Sequence, residues 1–197
     1  MEYVLQTNVL CKKYQKFTAL DNLTMHIPKG AIYGFIGKNG AGKTTLIRLL
    51  CGLQQPTSGE LSLYGTLHSQ PQIQNARKRI GAVVETPSIY LDMTAEENLR
   101  QQFQILGLPS YREISGLLQL VGLQDTGKKK AKHFSLGMRQ RLGIAIALCG
   151  NPDFLILDEP VNGLDPQGII EIRELIKKLG EKHTVILSSH ILSEVSA

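Results

Sequence analysis

The stretch GKNGAGKTT, Gly37 to Thr45, constrains this chain more than any other. It fits the pattern G-x-x-x-x-G-K-[ST], and it stands between an apolar run, AIYGFI, and a helix-spaced run, KTTLIRLLCG, that stops at Gly52. Glycines at these spacings let successive backbone N–H groups curl around an anion. A helix that starts at the loop's end adds its positive terminus. The strand–loop–helix order therefore predicts a nucleoside triphosphate site, with Gly37, Lys38, Asn39, Gly40, Ala41 and Gly42 cradling phosphates. Lys43 and Thr45 close the loop, and Thr44 offers its hydroxyl to a magnesium ion.

A second block completes that chemistry. In FLILDEP, Phe154 to Pro160, four apolar residues predict a strand buried on both faces, and it delivers two carboxylates at its end. Asp158 is placed to hold the metal, and Glu159, pointing the other way, to orient or deprotonate a water. VILSSH repeats the design, with His190 after a core strand and near the terminal phosphate. His26, His68, His133 and His183 have no such placement and read as surface or structural. A third feature, FSLGMRQRLGIAIAL, places Ser135 and Gly137 at the start of an apolar helix. That is a second anion seat with no lysine-bearing loop of its own.

Around these blocks the chain divides by pattern. EYVLQTNVL and ALDNLTMHI read as antiparallel strands, followed by a PKG turn and AIYGFI as a buried strand. ELSLYG and RIGAVVE are further short strands. From about Thr94 to Cys149 the spacing turns helical, with capping boxes expected at Thr94–Glu97 and Ser110–Glu113. Asp165 before Pro166 predicts an N-cap and N1 proline for a helix ending near Gly180.

Composition narrows the setting. A chain of 197 residues, 42% hydrophobic and 20% charged, is long enough for one domain with an inserted lobe. Its net charge of +5 suits a phosphate-rich partner, but the densest basic run, GKKKAK, lacks interleaved aromatics and reads as a solvated loop rather than a nucleic-acid surface. Three isolated cysteines, Cys11, Cys51 and Cys149, point to a reducing compartment and to roles as small core residues. No apolar run approaches the roughly 20 residues of a membrane span, so direct membrane insertion is not expected.

The ordered set of motifs resembles the nucleotide-binding subunits of ATP-binding cassette (ABC) transporters across nearly the whole chain. The resemblance implies an α/β fold: a P-loop NTPase (RecA-like) core with an N-terminal antiparallel β subdomain and an inserted α-helical subdomain. The core is expected over 1–93 and 150–197 and the helical subdomain over about 94–149. It implies ATP and Mg2+ as ligands and ATP hydrolysis coupled to transport. Tyr14, in KKYQKFTAL, falls where the family stacks an aromatic on adenine; Asp165, in NGLDP, belongs to its D-loop; His190 is its switch histidine. Ser135 and Gly137 stand in its signature, usually Leu-Ser-Gly-Gly-Gln, and would cap a nucleotide held by a second ATP-binding subunit, identical or sister, in a head-to-tail dimer. Two departures stand out. Leu136 and Met138 replace a glycine and the glutamine of that signature, and Leu136 is tolerable there if its backbone φ is negative and its side chain faces the helical lobe. Glu85, in GAVVETP, replaces the glutamine of the Q-loop and is expected as a catalytic-site and metal-ligating residue that accepts but cannot donate hydrogen bonds.

A glutamate there, together with SLGM, is similar to the subgroup that exports peptide antibiotics and confers immunity to lantibiotics or bacitracin-like compounds. The expected setting is cytoplasmic, peripheral on the inner face of the cell membrane through a separate membrane-spanning permease. Thr86 to Thr94 and the helical lobe would meet that permease. Family members usually run on past the switch histidine, so a C-terminal truncation within ILSEVSA, with a frayed last turn, is expected. Two other readings share the motifs: a soluble ABC ATPase acting on ribosomes or nucleic acid, and a nucleotide-binding module with little turnover.

Overall fold

The computed structural model describes residues 2–190, and the terminal ILSEVSA segment expected to fray lies outside them. Two long strands, β1 (Tyr3–Tyr14) and β2 (Phe17–Pro28), form an antiparallel hairpin closed at Tyr14↔Phe17. With β4 (Ser58–Leu63) and β5 (Thr66–Leu67) they make one sheet in the order β2-β1-β4-β5. The second sheet is parallel, in the order β3-β8-β7-β6, from β3 (Ile32–Ile36), β6 (Ile80–Val83), β7 (Phe154–Leu157) and β8 (Thr184–Ser189).

Strand periodicity explains how this sheet divides the molecule. Successive side chains leave opposite faces, so a strand apolar at every position feeds two cores. In β7, Phe154 and Ile156 enter one cluster and Leu155 and Leu157 the other; in β8, Ile186 separates from Val185 and Leu187 in the same way. The first cluster joins the sheet to the hairpin through helix α1 (Lys43–Leu50), whose Leu46, Ile47, Leu49 and Leu50 are buried. Short α2 (Ile73–Arg77) joins this cluster through Ile73 and Ala76. The second lies under α3 (Ala95–Ile105), α4 (Ile114–Leu120), α5 (Leu136–Ala147) and α6 (Pro166–Gly180). On α6, Ile172, Leu175, Ile176 and Leu179 follow the i, i+3, i+4, i+7 stripe that one buried helix face requires.

Most local signals behave as expected. Thr94 and Glu97 form a reciprocal capping box on α3, and the Asp165 carboxylate accepts from Gly168 N at 3.1 Å ahead of Pro166 at N1. Three expectations are corrected. Ser110 and Glu113 form no capping box: residues 110–113 turn so that Tyr111 sits 6.1 Å from Phe103 and 5.0 Å from Arg100, and α4 starts only at Ile114. The strand β3 is not buried: it pairs with β8 alone among the described residues, leaving Ile32 and Ile36 exposed. Cys51 is only half-buried, unlike Cys11 and Cys149, although burial still pushes its thiol up to about 11.

All four parallel strands end at one edge, so the loops after Ile36, Val83 and Leu157 converge there with His190. The α5 helix is held close beneath that sheet by Gly81 of β6, where an added Cβ would lie 1.9 Å from the Ala147 carbonyl oxygen. Gly81→Ala is therefore expected to separate β6 from α5 and cost about 3 kcal/mol. A urea midpoint, measured with unchanged m-value, checks this.

Candidate active site

The phosphate loop leaves β3 and is pinned to the neighbouring strand by Gly37 N donating to Ser189 O at 3.1 Å. Gly40 and Gly42 both adopt positive φ, 82° and 86°, a region that side chains disfavour. Gly42 is doubly constrained, since a Cβ there would meet Ala19 O at 2.1 Å. The α1 helix begins on Gly42 with no side-chain cap and no acid in its first turn, which leaves its N-terminal field directed at the cleft. That cleft, of about 290 Å3, is lined by Phe17, Asn39, Gly40, Gly42, Lys43, Thr44, Thr45, Glu159 and Asn162.

Behind the loop, hydrogen bonds tie the strand ends into one unit. Thr44 Oγ1 donates to Asp158 Oδ2 at 2.9 Å, and Ser188 Oγ donates to Asp158 Oδ1 at 2.5 Å. The Ser188 oxygen in turn accepts from Glu159 N at 2.8 Å. Asp158 is buried, and these two hydroxyls serve as donors to both carboxylate oxygens. Glu159, at φ 48°, turns its side chain to the cleft. There its carboxylate meets Lys43 Nζ at 3.1 Å and His190 Nδ1 at 2.7 Å. Partial burial pushes the Glu159 carboxyl up, but the His190 hydrogen bond and the Lys43 ammonium outweigh it and hold the group below the usual 4.5. Lys43 Nζ also donates to the Gly37 and Lys38 carbonyls, at 2.6 and 3.2 Å.

The sequence-derived candidates thus fall into three groups. Lys43, Thr44, Asp158, Glu159 and His190 meet around one cleft, with Asn39, Gly40, Gly42 and Thr45 in its wall and Gly37, Lys38 and Ala41 completing the loop. Ser135, Gly137 and Asp165 line a separate cleft of about 420 Å3. Ser135 Oγ there accepts from Met138 N at 3.2 Å as the N-cap of α5. The Leu136 Cδ2 lies over Gly163, and half of the residue is exposed, because position N1 of α5 points toward the loop before α6. Tyr14 and Glu85 form the third group and lie apart from the Lys43 cleft's lining. The Tyr14 hydroxyl donates to Gln54 Oε1 and Lys12 Nζ stands 5.2 Å over its ring. Glu85, expected beside the metal, is ion-paired with Arg48 of α1.

Phe17 and Ser188 were not singled out as site residues from the sequence. Phe17 pairs across the hairpin turn with Tyr14 and is the aromatic that lines the cleft. No signal in the sequence marked that place. For Ser188 the signal was a hydroxyl on the same strand face as Ile186, at the end of an otherwise apolar run.

A glycine-built phosphate loop, a buried carboxylate bound to the loop's hydroxyl, and a second carboxylate poised between a lysine and a histidine define a P-loop nucleotide-binding domain. The chain matches the ABC transporter family model over residues 20–162, and it belongs to that family. It is 47% identical over 197 residues to the bacitracin transport ATP-binding protein BcrA of Bacillus licheniformis, covering 99% of this chain and 64% of that protein. It is 46% identical over 193 residues to the lantibiotic transport ATP-binding protein SrtF of Streptococcus pyogenes, covering 98% and 82%. In structure it is similar to cbiO1 from Clostridium perfringens, part of the ABC transporter complex cbiONQ, with a TM-score of 0.86 at 28% identity over 99% of this chain and 81% of that one. The chain spans 64% of the length of the first curated relatives.

Because Ser188 serves both acidic residues, Ser188→Ala is expected to leave one Asp158 oxygen without a donor and free the Glu159 amide. The expected loss is about 1–3 kcal/mol of stability, read by urea denaturation, with weakened binding of a fluorescent ATP analogue.

Proposed function

We propose that this chain binds and hydrolyses ATP as the motor of an ABC transporter. The observation that carries this reading is the Glu159 carboxylate, held between Lys43 and His190 at the mouth of the phosphate loop. An ionised carboxylate there is a suitable acceptor for a water proton, and His190 keeps it oriented through Nδ1. Lys43 lies within the loop to meet the outer phosphates, and the free N-terminus of α1 favours the same negative charge. The residues that fit a magnesium ion are Thr44 and Asp158, one hydroxyl and one carboxylate already in contact. Among the described residues no group of three or more His, Cys, Asp or Glu side chains is arranged for a metal, so the ion's remaining ligands would be phosphate oxygens and water. Bound there, magnesium would neutralise charge developing on the phosphates.

The Ser135–Gly137 cleft holds no lysine and is distinct from the Lys43 cleft. That supports a reading in which each site is completed by a second ATP-binding subunit, with α5 presenting its N-terminus to the other subunit's terminal phosphate. Among the described residues no helix is long and apolar enough to cross a membrane. A separate permease would supply the spans and hold this chain at the inner membrane face. Tyr90 and Leu91, both about half exposed in the segment after Glu85, suit that contact, whereas Ile89 packs into the core. Similarity to bacitracin and lantibiotic transport proteins supports a peptide antibiotic or similar amphiphile as the exported substrate.

Glu159→Gln is expected to lower ATP turnover by at least about 100-fold while retaining bound ATP and accumulating dimer, in phosphate-release assays and analytical ultracentrifugation. Unchanged hydrolysis removes Glu159 from the water-activating role. Ser135→Arg is expected to abolish ATP-driven dimerisation without changing binding of a fluorescent ATP analogue by the monomer; loss of monomer binding overturns the two-subunit site.

A further inference from the structure

The ion pair between Arg48 and Glu85 joins two segments that the chemistry above does not connect. Arg48 lies on α1 one helical turn beyond Thr44 and on the same face, since i and i+4 side chains stack along a helix. Glu85 lies two residues beyond the end of β6, the strand paired with the one that delivers Asp158. Its φ of 60° is in the left-handed region, where a side chain other than glycine needs surrounding contacts to hold it. Arg48 Nη2 donates to Glu85 Oε1 and supplies such a contact. Two residues on, Pro87 packs so closely against α5 that a Cβ on Gly143 would lie 2.5 Å from Pro87 Cβ. The short segment from Glu85 to Pro87 is thus fastened at one end to the phosphate-loop helix and at the other to the helix that begins at Ser135.

We propose that Arg48 is a positioning residue for Glu85: its guanidinium holds the carboxylate, and with it the strained Glu85–Pro87 segment, one turn of α1 away from Thr44. The charge logic is specific to a glutamate at this position. A third carboxylate beside Asp158 and Glu159 would raise the local negative charge and would compete with Thr44 and Asp158 for any magnesium ion that they held. Pairing with Arg48 cancels that charge and gives the acceptor-only side chain a fixed donor. Both side chains are partly exposed, so the pair contributes little to global stability and acts chiefly on local order.

The test compares Arg48→Met, Arg48→Lys, Glu85→Gln and the double variant Arg48→Met/Glu85→Gln. In protein without nucleotide, amide hydrogen exchange over residues 82–90, where the β6 ladder and Tyr90 N on Asn98 Oδ1 hold amides on either side of Glu85, is expected to accelerate about tenfold in Arg48→Met and in Glu85→Gln. The double variant is expected to be no faster than either, and Arg48→Lys to lie closer to wild type. Unchanged exchange in Arg48→Met, or multiplying effects in the double variant, overturns the proposal. A second measurement rests on the proposed ATPase activity: the magnesium concentration giving half-maximal hydrolysis is expected to shift at least threefold in Arg48→Met and to return toward wild type in the double variant. Binding of a fluorescent ATP analogue in EDTA is expected to be unchanged in Arg48→Met; weaker binding that persists in the double variant means that Arg48 acts on the nucleotide itself and overturns the positioning role. Absence of hydrolysis in the wild-type protein would refute the proposed function, while the exchange measurement would still decide the role of Arg48.

Discussion

The buried Asp158 carboxylate is the point on which the site depends. Its two oxygens take hydrogen bonds from Thr44 at the start of α1 and from Ser188 at the end of β8, so a side chain delivered by β7 joins three segments far apart in sequence. A buried carboxyl group in that position costs free energy unless such donors satisfy it. The same contacts make the site rigid: Ser188 also holds the Glu159 amide, which sets where the next carboxylate points. Asp158 and Glu159 are adjacent in the chain yet serve different partners because one faces the hydroxyls and the other faces Lys43 and His190.

That geometry rests on a sheet apolar on both faces. Alternate residues of β7 and β8 feed the hairpin side and the helical side, so the strand ends are anchored from above and below while their polar tips emerge at one edge. Close backbone contacts at Gly42 and Gly81 fix the phosphate loop against β2 and α5 against β6. Among the described residues, the two non-glycine residues in left-handed conformation at this edge, Glu85 and Glu159, both follow strands and both carry carboxylates held by cations. Local backbone strain of this kind persists where surrounding contacts over-determine it, and the ion pairs with Arg48 and Lys43 are such contacts.

Much of this was legible in the residues. Short-range signals worked where the interacting groups are neighbours in the chain: the Thr94–Glu97 box, the Asp165–Pro166 helix start, the apolar FLIL strand and the glycine spacing of the phosphate loop. They misled where a distant group competed. Ser110 and Glu113 had the spacing of a cap, but Tyr111 packing on Phe103 and Arg100 set a turn instead. Phe17, the register partner of Tyr14 across the hairpin turn, carried no sequence signal for its place in the cleft wall. No spacing linked Arg48 to Glu85, 37 residues apart.

By itself the sequence determined which groups exist and their local conformations: a loop able to cradle phosphate, two acids after a buried strand, and a helix opening on Ser135. Those properties depend on backbone freedom, capping and side-chain period, which act over a few residues. Only the tertiary structure decided which groups meet. It placed Lys43 on Glu159, Ser188 on Asp158, Arg48 on Glu85 and Leu136 over Gly163, because those contacts depend on strand order and helix packing, where small shifts in register or depth exchange one partner for another.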